Sequence, residues 1–333
     1  MSGTLVTVAV PTLAADDALA GCLRALEAQT FTKFEVVVID NSGNGRAQAS
    51  GDRIRVLVNA RNMGFGAAIN RAIRESDSPL IAVLNDDAVP DREWLAALVK
   101  AAESKPKAGM FASQVRLAGT GLLDSAGMRI ALDGSSKQRG HGEAPAGFAS
   151  SSDTLFPSGS AALYRRKMLD EIGIFDEYFF LYCEDTDLGL RARWAGWEGL
   201  YVAGAIVDHE YSKSAGRASA LKAYYVERNR LYTVVKTFPL SMLALAPLYS
   251  VARYLWHLVY MAARTGKAAE FRESHPSWLL PFLVVRAFVS TVVRSPYLLK
   301  ERRRIFRSRK LSSKEFRALL SAHTISVRKV AEL

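Results

Sequence analysis

The chain has 333 residues, which is enough for one large domain or for one domain with a substantial appendage. Apolar residues make up 49% and aromatic residues 10%, without low-complexity tracts or repeats, which excludes a disordered or repeat protein. The net charge of +11 is uneven, because residues 221–333 hold 21 Lys and Arg against 6 Asp and Glu. This basic tail favours an anionic partner such as lipid headgroups over nucleic acid.

The two cysteines, Cys22 and Cys183, lie far apart in apolar surroundings. They indicate neither a disulfide framework nor a cysteine metal site, and they fit a reducing compartment. The first residues, MSGTLVTVAVP, have no basic leader, and their apolar run is too short for a signal sequence. We therefore expect a first strand there, and a protein that stays in the cytoplasm or on the inner face of the cell membrane.

The first part of the chain alternates strand-like apolar runs with amphipathic helical segments. The order is strand, helix, strand, strand, helix and strand, at residues 4–10, 17–29, 35–39, 53–59, 66–74 and 80–84. This rhythm predicts an α/β fold with a mainly parallel sheet flanked by helices. In such sheets, ligands bind beyond the carboxyl ends of the strands.

Polar residues directly follow four of these predicted strands and are the first candidates for a site. They are Pro11 and Thr12, Asp40 and Asn41, Asn59 with Asn62 and Gly64, and Asn85 with Asp86 and Asp87. Turn formation is the better explanation of each group taken alone, because Asp, Asn and Gly are favoured turn residues. Their repeated position at strand ends favours a shared cleft.

Asp86 and Asp87 are adjacent carboxylates after the apolar strand at residues 80–84. Such a pair raises the pKa of both groups unless a cation or hydrogen-bond donors meet them. Mg²⁺ and Mn²⁺ take oxygen ligands and commonly bridge carboxylates to nucleotide phosphates. The pair therefore predicts a divalent metal site.

An acidic and aromatic segment at residues 175–191, FDEYFFLYCEDTDLGLR, precedes a predicted helix. Capping of the helix N-terminus explains some of the acids. It does not require the aromatic residues, and a carboxylate against apolar surface has a raised proton affinity, which suits a general base. His209 follows another apolar strand; a lone histidine is more often structural, but this one could complete a metal site with Asp87.

After about residue 224 the chain changes to long apolar segments with embedded arginines. Residues 242–263 are nearly long enough to span a bilayer, and residues 278–293 have a similar design, yet polar residues recur on one face of each. These are Arg253, His257 and Arg264, and then Arg286, Ser290 and Arg294. We expect both helices to lie in the membrane interface. Residues 300–310, KERRRIFRSRK, carry seven basic residues and predict binding to anionic lipid; a solvated helix face and a small RNA-binding patch are the alternatives.

Five motifs resemble those of family 2 of the inverting glycosyltransferases, which have the GT-A fold, and within it the rhamnosyltransferase-like branch. They are VTVAVPTL at 6–13, VVVIDNSG at 36–43, NARNMGFGAAIN at 59–70, LNDDA at 84–88, and FPSGSAALYRRKMLDEIGIFDEYFFLYCEDTDLGLRARWAGW at 156–197. The motifs occur in the order expected of the family over roughly the first 230 residues. The opening PTLAADD departs from it, since many members carry a tyrosine-asparagine pair after the threonine.

The resemblance implies a role for each matching residue. The nucleotide side would comprise Pro11, Thr12, Asn62 and Gly64, with Asp40 on the base and Asp86 on the ribose. A divalent metal, Mg²⁺ or Mn²⁺, would be held by Asp87 and His209. Asp185 would be the catalytic base, with Asp187 as the alternative. The acceptor side would comprise Glu184, Trp194, Arg228 and Asn229.

The resemblance also implies a Rossmann-like, mixed and mainly parallel sheet, followed by a helical extension that associates with the membrane. We expect a catalytic domain at 1–230, with a nucleotide half at about 1–110 and an acceptor half at about 111–230, and a basic amphipathic extension at 231–333. The expected reaction moves a sugar, first of all rhamnose from dTDP-rhamnose, to a lipid-linked saccharide of a cell-surface polymer. A UDP-hexose or UDP-galactofuranose donor is the alternative. No nucleic-acid partner is expected, and a homo-oligomer is left open.

Three other classes are weaker interpretations. A nicotinamide-dependent dehydrogenase needs a glycine fingerprint after the first strand, but that strand ends in PTLAADD, and Ile69 stands where the third glycine after Gly64 and Gly66 belongs. A haloacid-dehalogenase-type phosphatase would use residues 185–187, which lie in mid-chain before a helical pattern. An inactive membrane adaptor would not need the intact set of Asp87, Asp185 and His209.

Overall fold

The structure is a computed structural model, and it describes residues 3–14, 16–48, 51–210, 219–265, 271–272, 275–276 and 278–333. Contacts divide the described residues into two compact units. The first unit takes its residues from Met1–Met128, Gln138–Phe180 and Trp197–Ser214. The second takes its residues from Arg129–Lys137, Leu181–Gly196 and Ala215–Leu333.

The first unit is built on a mixed ten-stranded sheet, four strands of which form a parallel block. The block consists of β1 (Val6–Thr12), β2 (Phe34–Asp40), β3 (Ile54–Val58) and β4 (Leu80–Leu84), in the spatial order β3-β2-β1-β4. β1, β2 and β4 are almost wholly buried and rich in Val, Ile and Leu, as expected of strands covered on both faces. The predicted βαβ rhythm is confirmed.

The other strands extend the sheet beyond β4. They are β5 (Ala88–Pro90), β6 (Ala108–Leu117), β7 (Leu123–Ser125), β10 (Ser152–Asp153), β11 (Ala161–Arg165) and β12 (Glu198–His209). β11 lies antiparallel between β4 and β6, whereas β12 runs parallel to β6 and antiparallel to β5 and β10. A two-stranded hairpin is formed by β8 (Met128–Ile130) and β9 (Ser136–Gln138).

The helices of the first unit are α1 (Asp17–Glu27), α2 (Phe65–Arg74), α3 (Trp94–Ser104) and α4 (Arg166–Ile172). α1 begins after Asp16, whose side chain accepts a hydrogen bond from the Ala18 N–H, a favourable N-cap. α1 buries its apolar face, including Leu19 and Leu26, in the core under the parallel block. The predicted elements up to residue 84 end within two residues of those observed.

The second unit is helical. It contains α5 (Glu184–Trp194), α6 (Ala220–Thr237), α7 (Leu240–Ala262), α8 (Leu279–Ser308), α9 (Ser313–Ala322) and α10 (Val327–Glu332). α6 packs against α5, α7 and α8. The boundary predicted at residue 230 falls within α6 and stays a prediction. α5 lies in the second unit, where it packs against α6.

A buried network of charges joins α6 and α7 to the loop between β8 and β9. Arg253 of α7 donates to Asp133 at 2.6 Å and to Glu227 of α6 at 2.7 Å. Arg230 of α6 also donates to Glu227. Although burial alone would raise the pKa of Glu227, Arg230 and Arg253 lower it. Of the polar stripe predicted at Arg253, His257 and Arg264, the first two lie on α7 and Arg264 follows the end of that helix; Arg253 faces the protein interior.

The outward faces of α7 and α8 are apolar instead. On α7 the residues more than half exposed include Leu248, Val251, Leu255 and Leu258, at spacings of three and four. On α8 they include Phe282, Val285, Val289 and Val292, again at helical spacing, and the exposed Trp278 directly precedes that helix. We refer to these two sets as the outward stripes. Within the described part of the chain, α8 is also the helix long and apolar enough to cross a membrane, by length and composition only.

Candidate active site

Strand pairing brings Asp87 and His209 together. β5 begins directly after Asp87 and pairs antiparallel with the end of β12, so that His209 lies opposite Ala88. The Glu210 N–H donates to the Asp87 carbonyl oxygen at 3.0 Å. His209 Nε2 lies 3.1 Å from Asp87 Oδ1, and both side chains are 8% exposed. The two residues predicted as metal ligands are therefore neighbours.

Asp124 lies behind His209, and sequence reasoning missed it. Its Oδ2 lies 3.2 Å from His209 Nδ1, and its Oδ1 lies 3.2 Å from His141 Nδ1. Burial alone would lower the pKa of His209, but the hydrogen bonds with Asp124 and Asp87 raise it to about 9. Burial would raise the pKa of Asp124, but the two imidazoles lower it. The sequence signal was an acid inside the apolar run GLLDSAG, which is weak alone.

Thr12, Asp40 and Asp86 lie at the carboxyl ends of adjacent strands, as predicted. Thr12 ends β1 and pairs with Asp40 at the end of β2, while Asp86 follows β4 on the other side of β1. Burial raises the pKa of Asp86; a hydrogen bond with Thr12 opposes this shift and the charge of Asp87 adds to it. Pro11 precedes Thr12 and is half-buried. The three strand ends thus form one polar cluster.

Asp40 is fully buried, and its carboxylate holds the loop that follows β2. Oδ1 accepts from the Ser42 N–H at 2.9 Å and from the Ser42 hydroxyl at 2.6 Å, and Oδ2 accepts from the Ala47 N–H at 2.8 Å. Although burial alone would raise the pKa of Asp40, these hydrogen bonds lower it. Contact with a nucleotide base stays a prediction beside this loop-shaping role.

Asn62 and Gly64 shape the next loop. Asn41 Nδ2 donates to Asn62 Oδ1 at 3.0 Å and to the Gly64 carbonyl at 3.2 Å. Gly64 has φ +89°, and a Cβ there would lie 2.3 Å from the carbonyl oxygen of Phe180. Only glycine fits this close approach. Nucleotide contact by Asn62 and Gly64 stays a prediction.

Glu184 and Asp185 open α5 after an unusual stretch of backbone. Three non-glycine residues with positive φ precede them, namely Phe180, Tyr182 and Cys183. Such conformations cost free energy and cluster at functional sites. Asp185 is half-buried, and its Oδ1 accepts from the Thr186 N–H at 2.6 Å. Burial and the charge of Asp185 raise the pKa of Glu184 to about 8.

Asp187, the alternative base, is fully buried. Its Oδ2 lies 2.8 Å from Arg191 Nε and its Oδ1 lies 2.6 Å from Lys236 Nζ. Burial alone would raise the pKa of Asp187, but Lys236 and Arg191 lower it. A buried carboxylate held in two ion pairs is a poor acceptor for a substrate proton, which argues against Asp187, and the role of Asp185 as the base stays a prediction.

Asn229 supports the backbone that precedes Glu184. Its Nδ2 donates to the carbonyl oxygens of Leu181 and Tyr182, at 2.8 and 2.7 Å. Arg228 Nε donates to Asn229 Oδ1 at 2.9 Å. Because Asn229 is fully buried, it orders the start of α5 rather than offering a surface to an acceptor.

Trp194 was predicted on the acceptor side, but the structure places it in the core of the second unit. The ring is fully buried, stacks on Phe316 with centroids 3.9 Å apart, and donates its indole N–H to the Thr237 carbonyl at 2.8 Å. A side chain without exposed surface cannot touch an acceptor, which corrects that expectation.

The Asp87–His209 pair fits a divalent cation by the chemistry of its donors, a carboxylate oxygen and an imidazole nitrogen. Metal-binding histidines usually present their other nitrogen to a carboxylate, which is the position of Asp124. Over the described residues, no group of three or more His, Cys, Asp or Glu side chains is placed to hold a metal. Asp87 and His209 are the residues that could hold such a cation, and Mg²⁺ commonly takes its other ligands from substrate phosphate and water.

The mixed sheet flanked by helices is the GT-A fold, which solved glycosyltransferase structures share. Residues 3–233 match the family described as "Glycosyltransferase like family 2", and the chain belongs to this family, in its rhamnosyltransferase-like branch. It is 32% identical over 232 residues to the N-acetylglucosaminyl-diphospho-decaprenol L-rhamnosyltransferase of Mycobacterium tuberculosis. That match covers 61% of this chain and 76% of the relative.

Two solved structures share the fold at low identity. The mannosyltransferase PcManGT from Pyrobaculum calidifontis, in complex with GDP-Man and Mn²⁺, has a TM-score of 0.50 at 15% identity, over 100% of this chain and 86% of that one. S. aureus TarS 1–349, in complex with UDP-GlcNAc, has a TM-score of 0.50 at 16% identity, over 98% of this chain and 90% of that one. At such identities the likeness shows the fold alone.

Proposed function

We propose that the protein is a metal-dependent inverting glycosyltransferase that moves rhamnose from dTDP-rhamnose onto a lipid-linked saccharide in cell-surface polysaccharide synthesis. The observation that carries the proposal is the Asp87–His209 pair with Asp124 behind it, beside the polar strand ends. The name of the mycobacterial relative supports both the sugar and a diphospholipid-linked acceptor. We further propose that residues 1–110 bind the nucleotide and 111–230 the acceptor.

The proposed reaction is one displacement at the anomeric carbon. Asp185 takes the proton of the acceptor hydroxyl while the hydroxyl oxygen forms the new glycosidic bond. The bond from the anomeric carbon to the diphosphate breaks, and its electron pair leaves with the diphosphate. Asp87 and His209 would hold a divalent metal, which would supply positive charge for that leaving group. Attack from the opposite face inverts the anomeric configuration.

The protonation of Glu184 supports this role for Asp185. With a pKa of about 8, Glu184 is mostly neutral at pH 7 and adds no negative charge directly beside Asp185, while the charge of Asp187 in the same turn is paired with Arg191 and Lys236. Asp185 can then act as the only carboxylate base of the pair.

Calorimetry with dTDP, UDP, GDP and CDP, each with and without Mn²⁺, tests the donor proposal. We expect dTDP to bind most tightly and to require the metal, followed by transfer from dTDP-rhamnose to a polyprenyl-diphospho-GlcNAc. Preference for UDP would point to the alternative UDP-hexose or UDP-galactofuranose donor. Failure of all four nucleotides would favour the inactive adaptor.

We also propose that the protein associates with the inner face of the cell membrane through the second unit. α7 turns its leucines outward and its arginine inward, which is the reverse of a helix on a water-soluble surface. α8 adds an outward stripe of comparable length. Large contiguous apolar surfaces mark sites for membranes or partners, and the basic residues 300–310 that end α8 favour a membrane with anionic lipid.

Vesicle sedimentation tests this association. Leu248→Gln with Leu255→Gln should lower binding to vesicles at least about tenfold, because each buried leucine contributes about 1.5–3 kcal/mol. Val58→Gln with Leu122→Gln removes exposed apolar side chains from the first unit and is the matched control. Equal vesicle binding by both double variants would refute the association. Deleting residues 300–333 is a poorer test, since it removes Phe316, on which Trp194 stacks.

A further inference from the structure

A cavity of about 570 Å³ in the second unit combines arginines with an apolar rim. Its polar lining consists of Arg302, Arg303, Arg309, Arg317, Ser241 and Ser313. Among the described residues that line it, none is acidic. Four like charges around one space repel one another, and an anion in that space would relieve the repulsion. The composition of the cavity therefore points to an anionic ligand.

Three of the guanidinium groups are held in place by other contacts. Arg302 donates from Nη1 to two backbone carbonyls at the end of α6, at 2.9 and 2.7 Å. Its guanidinium lies 4.3 Å from the ring centroid of Phe306, and that of Arg309 lies 5.3 Å from the same centroid. Arg317 donates to Ser241 Oγ at 3.0 Å. Because these groups are already ordered, a ligand would lose little free energy in ordering them.

The apolar rim connects the cavity with the outward stripes. Leu240, the first residue of α7, lines the cavity and is 74% exposed. Leu299 also lines it and lies seven residues after Val292, on the same face of α8. The cavity thus lies where apolar surfaces from both helices come together. The positive end of the α7 dipole is also there.

We infer that this cavity binds the phosphate group of an anionic membrane phospholipid, whose acyl chains lie along the outward stripes. Guanidinium groups suit phosphate because they donate two parallel hydrogen bonds to its oxygens. Arg303, exposed and lining the cavity, adds a fourth cation to the three that are held. The inference rests on the proposed membrane association and goes beyond it, since general charge attraction requires no specific site.

A short-chain lipid below its critical micelle concentration distinguishes binding at the cavity from general attraction to a charged membrane, because no membrane surface is then present. We would titrate the full-length protein with monomeric dihexanoyl-phosphatidylglycerol, dihexanoyl-phosphatidylcholine and inorganic phosphate. The cavity variant is Arg303→Gln with Arg309→Gln, which spares Arg302 and its bonds to α6. The control is Lys300→Gln with Arg307→Gln, which removes the same charge from exposed positions of α8 outside the cavity.

We expect the wild type and the control variant to bind the phosphatidylglycerol alike, the cavity variant at least about tenfold more weakly, and phosphatidylcholine to bind less well than phosphatidylglycerol. Replacing Arg303 and Arg309 by Lys keeps the charge and should still weaken binding, because lysine cannot form the paired hydrogen bonds. Both pairs of substitutions are at exposed sites, and an unchanged circular dichroism spectrum would show that the variants are folded.

Equal binding by the cavity and control variants would overturn the inference. Inorganic phosphate binding as tightly as the lipid would also overturn it, in favour of a free-phosphate site. Sedimentation of the wild type with phosphatidylglycerol vesicles tests the membrane association separately. If the wild type sediments with the vesicles but the cavity and control variants bind the short-chain lipid equally, the cavity site alone is refuted. If the wild type does not sediment, the membrane association itself is refuted.

Discussion

Substitution of Glu184 by Gln should change how the stability of the protein depends on pH. Glu184 is buried at the start of α5, where burial and the charge of Asp185 raise its pKa from 4.5 to about 8. Below pH 4.5 the side chain is protonated in both the folded and the unfolded chain. Between pH 4.5 and 8 the unfolded chain loses this proton while the folded chain keeps it, so stability falls as pH rises.

The size of the effect follows from the pKa values. Each pH unit in this window removes about 1.4 kcal/mol, so that at pH 7 the wild type has lost about 3 kcal/mol through this one group. With an unfolding entropy of about 2.1 cal/mol/K per residue, 333 residues give about 0.7 kcal/mol/K. The thermal midpoint of Glu184→Gln should therefore rise relative to the wild type by about 2 °C per pH unit.

Thermal unfolding of both proteins at several pH values from 4.5 to 9 measures this difference. The slope against pH is the useful quantity, because replacing a neutral carboxyl by an amide adds an offset that does not depend on pH. Glu103→Gln, at an exposed position of α3, is the control and should run parallel to the wild type. Parallel curves for Glu184→Gln as well would refute the assignment of a raised pKa to Glu184.

Four further variants have expected outcomes. Asp185→Asn should keep nucleotide binding, measured by calorimetry, but lose sugar transfer; substantial turnover by this variant would assign the base role to another residue. Asp187→Asn should lower the free energy of unfolding in urea by about 3–5 kcal/mol, since it breaks a buried ion pair. Asp124→Asn should weaken Mn²⁺ binding about 10–100-fold, read by electron paramagnetic resonance, and unchanged affinity would leave His209 without the proposed support. Gly64→Ala should reduce the thermal midpoint, because its Cβ would lie 2.3 Å from the Phe180 carbonyl oxygen, and an unchanged midpoint would argue against that close approach.

The sequence predicted most of the parallel block, because β1, β2 and β4 are continuous apolar runs whose length and spacing are local properties. It also predicted the polar strand ends. The pairing of Asp87 with His209 was one alternative from the residues alone and was supported by the family resemblance, since the two residues lie far apart in the chain and the register of β5 with β12 brings them together.

Three results could not be predicted from local patterns. Periodicity showed that Arg253 and His257 share one face of a helix, but it cannot tell which face is buried. The direction depends on Glu227 and Asp133, which are remote in sequence. Trp194 was misplaced for a similar reason, since its stacking partner lies in α9. Asp124 was missed because its role depends on the position of the short strand β7.

The inverted arrangement of α7 has a mechanical consequence for a bilayer. In α7 the arginine is bonded inside the protein and the leucines face outward. Such a helix can enter a membrane only with its axis parallel to the surface, to a depth of roughly 5 Å, about the radius of a helix. It would widen one leaflet and leave the opposite leaflet unchanged. A helix inserted in this way prefers a convex leaflet with loosely packed lipids, so the protein would concentrate where the membrane surface that faces it is convex.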